Sequence, residues 1–320
     1  MNLLKCAVIG VGYLGRFHAM KYRQLEHANL VAVCDINQDN CNKIAQELNV
    51  AACYDYRDLF GKVDAVSIAA TTNQHYDIAK QCLQNKIHVL LEKPITETVK
   101  QADELIALSN SFQVKLQIGH LERFNAARMA ITPYLKNPTF IESKRLAPFN
   151  VRGTDVSVIL DLMIHDIEII QSIIKAPIIN IDAYGTRVLT SSIDIANARL
   201  TFANQAIANV TASRVSHTTE RKTHIFQLNS SIDIDYHNKK LVIFRPMLQE
   251  QNAILENLAP EKYSFSGNDA ILEEIKAFLD CIVNDTHPLV TGIDGREALA
   301  TAAQITSLID RSTAAYHATV

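Results

Sequence analysis

The chain has no run of lysine or arginine longer than two residues, no CxxC spacing, and no apolar stretch near the ~20 residues a membrane span needs. Each absence excludes something. Without a basic run, and at a formal net charge of -3, the phosphate footprint of a nucleic-acid binder is missing. The six cysteines (Cys6, Cys34, Cys41, Cys53, Cys82 and Cys281) form no regular framework, and several sit in apolar runs where a thiol acts as a small hydrophobe. Free thiols in a reducing cytosol are expected. The opening MNLLKCAVIGVGYLG is broken by glycines and followed by a charged amphipathic stretch, unlike a secretory leader. HExxH and GxSxG are missing too, so neither a metal centre nor a nucleophilic serine is expected. No internal repeat, low-complexity segment or Pro/Gly-rich linker interrupts the chain. A soluble cytoplasmic protein without nucleic-acid or membrane partners is the expectation.

What is present is apolar content of 48% against 20% charged residues in 320, enough for large cores and about two domains. Over the first 120 residues, short apolar runs alternate with amphipathic ones. CAVIG (6–10), LVAVCD (30–35), VDAVSIAA (63–70), IHVLL (87–91) and VKLQIG (114–119) read as strands. Residues 14–28, 36–50 (with Asn37 as N-cap), 76–85 and 98–112 read as helices between them. Strands with little polar alternation, separated by helices, predict a parallel sheet covered on both faces. The pattern changes after a helix near 124–136 and another at 158–170. IINIDAYGTRV, IANARLTF, AIANVTASRV, HIFQLNSSIDIDY and KLVIFRP alternate over about 178–246 and predict an antiparallel or mixed sheet with one apolar face. Helices close the chain at 269–284 and 295–310. The predicted division is a parallel α/β domain over 1–120 and a second α/β domain over 121–320.

GVGYLG places Gly10, Gly12 and Gly15 directly after the first strand and at the start of a helix. That context is what a bound pyrophosphate requires: a tight turn, a close backbone approach, and close helix–strand packing. The helix N-terminus then offers free N–H groups and the positive end of a dipole. Asp35 closes the second strand, where its carboxylate can accept from a ribose diol and repel a 2′-phosphate. Ile36 and Asn37 follow, with no adjacent arginine. NAD is therefore expected over NADP; the fingerprint by itself is equally compatible with a flavin.

In VILDLMIHDIEII (158–170), Asp161, His165 and Glu168 fall on one helical stripe while apolar side chains cover the other directions. Buried carboxylates and imidazoles are costly unless paired, so this stripe reads either as a catalytic face or as a satisfied buried pair. Asp166 and Glu168 are read as helix-surface or interface residues.

LLEKPIT (90–96) resembles the EKP motif of the glucose–fructose oxidoreductase and inositol dehydrogenase family, Gfo/Idh/MocA. GVGYLGRFHA (10–19), ATTNQHYDIAKQCLQNKIHVLLEKP (70–94), IGHLERFN (118–125), DLMIHD (161–166) and the tail 272–299 agree with it in order. The resemblance implies a Rossmann domain followed by an α/β domain whose open, mostly antiparallel sheet makes a homodimer or homotetramer interface. By resemblance, Lys93 and His165 meet substrate at the nicotinamide, Asp161 is their partner, and the Lys93–Pro94 peptide is often cis. Cofactor contacts are expected from Gly10, Gly12, Tyr13, Leu14, Gly15, Asp35, Thr71, Asn73, His75, Glu92 and Lys93, and substrate contacts from Lys93, Arg123, Arg152, Asp161 and His165. Three departures stand out: Thr72 where proline is common, Ala126 where RFNP is frequent, and DVSVIL where a glycine run often precedes the Asp-x-x-x-His segment. The wording of 118–125 and 152–168 looks most like the branch oxidising nucleotide-linked amino sugars such as UDP-N-acetylglucosamine.

Oxidising a secondary alcohol needs a hydride acceptor, a base, polarisation of the forming oxygen and exclusion of water. NAD supplies the first. His165 is the best base, with Asp161 fixing its tautomer, and Lys93 can steady the developing alkoxide or act as the acid/base itself. Two other readings remain open: an inositol or free-sugar dehydrogenase, and a catalytically silent NAD-binding sensor or scaffold.

Overall fold

The computed structural model describes residues 3–150, 156–245 and 260–319. The first stretch runs β1 (Leu4–Ile9), α1 (Tyr13–Tyr22), β2 (Ala28–Cys34), α2 (Gln38–Leu48), β3 (Ala51–Cys53), β4 (Ala65–Ile68), α3 (Thr72–Gln84), β5 (His88–Glu92), α4 (Val99–Ser111) and β6 (Leu116–Gly119). The strands form one parallel sheet in the order β3-β2-β1-β4-β5-β6. The order reverses between β1 and β4, which opens a crevice at the carboxyl ends of the strands. Continuous apolar runs are legible here because both faces are covered: Ala65 to Ile68 and Val89 to Leu91 are buried throughout. Local chemistry fixes the helix starts. Asn37 Oδ1 accepts from Asn40 N at 3.0 Å, and Thr98 with Gln101 forms a capping box on α4; each such cap contributes about 1 kcal/mol. α1 stops six residues short of the expected Ala28, where Arg23 caps it.

The second sheet mixes directions. After α5 (Ala126–Ala130) come β7 (Phe140–Leu146), a π-helical turn (Ile159–Met163), α6 (Ile164–Ile174), β8 (Ile178–Thr186), β9 (Ile195–Phe202), β10 (Ile207–Ser213), β11 (Glu220–Gln227), β12 (Ser230–Asp235), β13 (Lys240–Phe244) and β14 (Glu261–Ser264). Their order is β14-β13-β12-β11-β7-β10-β9-β8, with β7 and β10 parallel and the other pairs antiparallel. HIFQLNSSIDIDY, expected as one strand, is a hairpin of β11 and β12 that turns at Asn229, whose φ of 60° is left-handed.

The central β7 has no counterpart in the predicted elements. Its inward face carries Ile141, Ser143 and Arg145 rather than three apolar residues, so the usual alternation is hidden. The polar pair is tolerated because α6 supplies Asp166. Arg145 Nε donates to Asp166 Oδ2 at 2.6 Å and Ser143 Oγ donates to Oδ1 at 2.8 Å. Asp166 and Glu168 are 0% and 2% exposed. The expectation that they lie on a helix surface is thus corrected: Asp166 is a buried counter-ion.

The chain then forms α7 (Ala270–Val283) and α8 (Gly292–Thr319). Compactness divides it into residues up to Phe124 together with Asp269–Leu299, and Asn125–Asn268 together with the chain from Ala300 on. The expected division is contiguous at 120; the first compact unit runs to Phe124 and includes Asp269–Leu299. The reason is apolar. Ile275, Phe278, Leu279 and Cys281 of α7 are buried in one cluster with Cys6, Val8, Val11, Ala19 and Tyr22. Gln117 Nε2 donates to the Glu274 carbonyl at 3.0 Å and Lys115 Nζ to Asp285 at 2.7 Å.

Candidate active site

Gly10 leaves β1 with φ at +82°, and a Cβ there would lie 2.7 Å from Ala70 N and 2.8 Å from the Ala69 carbonyl. No other residue type fits. At Gly15 an added Cβ would fall 1.8 Å from Gly10 O, so the turn and α1 touch backbone to backbone. At Gly12, the N-cap of α1, an added Cβ meets nothing within 4 Å, and no side chain caps the helix. The glycine turn thus presents uncapped N–H groups to open space, the condition for a pyrophosphate. Tyr13 opens α1, 68% exposed, its ring edge-on to Phe17 at 5.2 Å; Leu14 follows it, partly buried. Asp35, after β2, accepts from Val11 N at 2.8 Å and Asn37 N at 2.9 Å. Its carboxylate is thereby held beside the glycine turn with lone pairs to spare for a diol. A cleft of about 410 Å³ lined by Val11, Gly12, Tyr13, Arg16, Asn40 and Lys43, among others, adjoins it.

At the ends of β4 and β5, Thr71 stands at the N-cap position of α3 without a side-chain cap and donates from Oγ1 to Asn73 Oδ1 at 2.7 Å. His75 is 1% exposed, and its ring nitrogens face the Pro94 and Ala70 carbonyls at 2.9 and 3.1 Å. Burial lowers its pKa, although those two carbonyls pull the other way. His75 thus ties the loop after β4 to the loop after β5. The Lys93–Pro94 peptide is cis. Lys93 is half-buried beside His120, whose pKa burial, then the charges of Lys93 and Arg123, push down to about 3. His120 is a neutral imidazole next to an ammonium. Arg123 Nη2 donates to the Leu289 carbonyl at 3.2 Å, in the segment that returns. Glu92, 9% exposed, turns inward, with Oε1 3.0 Å from Nε2 of the fully buried His18.

In the other compact unit, Asp161 lies in the π-helical turn and His165 is the second residue of α6. Both are half-buried, within a segment whose Val158, Ile159, Met163, Ile164 and Ile167 are fully buried. The stripe drawn at a regular 3.6-residue period is corrected here, because the turn holding Asp161 is wider than an α-turn. Single π-turns inside helices are frequent at functional sites. Arg152 lies outside the described residues.

Residues 4–120 match the NAD-binding Rossmann-fold domain of the Gfo/Idh/MocA oxidoreductases, and residues 139–232 match that family's C-terminal domain. UDP-N-acetylglucosamine 3-dehydrogenase of Acidithiobacillus ferrooxidans is 34% identical over 307 residues, 94% of this chain and 96% of that protein. The chain belongs to the Gfo/Idh/MocA family. The solved structure of the Acidithiobacillus enzyme aligns with a TM-score of 0.90 at 33% identity, over 97% of this chain and 99% of that one. Myo-inositol 2-dehydrogenase of Thermotoga maritima is 26% identical over 92% of this chain and 93% of that protein.

As a Gfo/Idh/MocA oxidoreductase, the chain is an enzyme with a Rossmann domain for NAD, and the open glycine turn and the anchored Asp35 fit that group. Reading the sequence missed Glu274. It sits on α7 between Ile271 and Ile275, in the apolar stripe of an amphipathic helix, and is 0% exposed. The signal was the one that drew attention to 158–170: an acid at an apolar position.

Proposed function

We propose that this enzyme is an NAD-dependent dehydrogenase of a nucleotide-linked amino sugar, UDP-N-acetylglucosamine or a close analogue, acting at a secondary hydroxyl. The observation that carries it is the near-complete, 34% identical match to UDP-N-acetylglucosamine 3-dehydrogenase, against 26% for an inositol dehydrogenase of similar coverage. NAD, when bound, would supply the hydride acceptor for the carbon bearing the hydroxyl. His165 takes the hydroxyl proton, and Asp161 orients its imidazole and stabilises the imidazolium. Lys93 hydrogen-bonds the same oxygen as negative charge develops on it. Arg123 and Arg152 are assigned to the sugar-nucleotide side of the substrate. Thr71, Asn73 and His75 hold the loop that carries the cofactor, with Leu14 and Tyr13 along the glycine turn. Asp35 favours NAD, since it already holds its carboxylate where a 2′-phosphate would bring like charge.

The second compact unit is assigned to substrate binding and self-association. Its sheet exposes Ile179, Tyr184, Phe226 and Phe244, apolar area of the kind oligomers cover. Among the described residues no helix is long and apolar enough to cross a membrane, and the buried, unbridged cysteines agree with work in the cytoplasm.

The test is NADH formation with UDP-N-acetylglucosamine, free N-acetylglucosamine and myo-inositol, repeated with NADP. The nucleotide sugar with NAD is expected to be the best pair. Lys93→Ala and His165→Ala should each lower turnover at least about 100-fold while dinucleotide fluorescence still reports binding. Equal turnover of myo-inositol, or full turnover in both variants, would reject the assignment.

A further inference from the structure

Next to Lys93 in the chain, Glu92 belongs to a cluster of buried polar groups to which the proposed reaction assigns no proton transfer. His18 on α1, Glu92 at the end of β5 and Glu274 on α7 each place a ligand-type atom within 4.8 Å of the others. They are 0%, 9% and 0% exposed. His18 Nε2 is 3.0 Å from Glu92 Oε1. Both carboxyl oxygens of Glu274 are buried and without a hydrogen-bond partner. On the far side of Glu92, β6 carries Gly119, where a Cβ would come within 2.9 Å of Glu92 Cδ. Three elements thus close on one carboxylate, and that carboxylate belongs to the residue before Lys93.

A second carboxylate within 4.8 Å of a fully buried one disfavours the charged form of the buried group. Burial first, and the charge of Glu92 second, push the Glu274 carboxyl well above the usual carboxylate range. A protonated Glu274 has an O–H to donate and a carboxylate within 4.8 Å to receive it after a small side-chain shift; an ionised one would be a fully buried charge with no hydrogen-bond partner. Glu274 is thereby favoured in its neutral form.

We propose that Glu274 is a positioning residue for Lys93: as a neutral acid it shares its proton with the Glu92 carboxylate and, with His18 opposite, clamps the end of β5 from which Lys93 departs. The assignment of Lys93 to the reaction is that of the proposed function; the clamp itself does not depend on it. The clamp also gives the returned helix a role in the site. A Cβ at position 119 would displace the Glu92 carboxylate.

The experiment compares wild type, Glu274→Gln and Glu274→Ala by infrared spectroscopy at pH 7, by dinucleotide binding and by turnover of UDP-N-acetylglucosamine. A protonated-carboxyl band is expected in wild type and absent from both variants. Glu274→Ala is expected to lower kcat about tenfold or more with the dinucleotide Kd within about threefold. Glu274→Gln, which keeps a neutral donor, is expected to recover most of that loss. A merely structural glutamate would shift Tm without this split and without rescue by the amide. The proposal is overturned if no protonated-carboxyl band is lost in Glu274→Gln, if Glu274→Ala keeps full kcat, or if the purified protein holds one equivalent of a transition metal that Glu274→Ala releases. Should the sugar not turn over in wild type, the substrate assignment fails, while the infrared comparison still decides the clamp.

Discussion

Asp35 and His120 show what single residues do beyond their type. Asp35 accepts from two backbone N–H groups, which hold its carboxylate beside the glycine turn. His120 is held neutral beside Lys93. In the unfolded chain an imidazole binds its proton near pH ~6.5, whereas in the fold it does so at about 3. Between these values the unfolded chain carries the extra proton, so stability is fully present above the upper value and is lost as pH falls towards the lower. Urea midpoints measured from pH 7.5 down to 4 should therefore fall, and His120→Gln should show a shallower fall over the same range. An equally steep fall in the variant would assign the loss elsewhere, for instance to His75, whose pKa is also lowered by burial.

Among the elements, β7 and α6 depend on each other. β7 could not bury Ser143 and Arg145 without Asp166, and α6 could not bury Asp166 without them. Removing one partner strands a charge, so Asp166→Asn is expected to cost about 3–5 kcal/mol, read as a lowered denaturant midpoint. Replacing Asp166 and Arg145 together by apolar residues of similar volume should cost much less, and an equal loss would refute the pairing. This dependence explains why β7 was illegible in the sequence. Its inward residues look like a polar loop until a helix from further along the chain supplies the counter-charge. Central parallel strands such as β4 and β5 were legible because they bury both faces with apolar side chains, whereas the short edge strand β3, mostly exposed, was not. Asn37 was legible because a cap acts within one turn. The hairpin in HIFQLNSSIDIDY was missed because Asn229, rather than a glycine, takes the left-handed turn.

At the scale of the whole molecule, the parallel sheet is finished by residues that lie some 150 positions further on, a separation visible in the pairing of Gln117 with Glu274. α7 fills the core with Ile275, Phe278 and Leu279. Each buried side chain of this kind contributes about 1.5–3 kcal/mol, and together they amount to a large part of a domain stability of about 5–15 kcal/mol. A fragment ending at Phe124 should therefore lack a cooperative thermal transition by circular dichroism, while the full chain shows one. A fragment as stable as the full chain would show that the helix is dispensable.

The sequence by itself determined the parallel α/β half, the glycine turn, the acid that follows the second strand, and the order of motifs that marks a Gfo/Idh/MocA oxidoreductase. These are carried by neighbours in the chain, where spacing and side-chain type are the physics. Only the tertiary structure decided that the C-terminal segment completes the first sheet, that Asp166 is a counter-ion rather than a surface charge, and that Glu92, His18 and Glu274 share one pocket. Such outcomes depend on which distant groups come within a few ångströms of each other once water is excluded, and no local pattern encodes that distance.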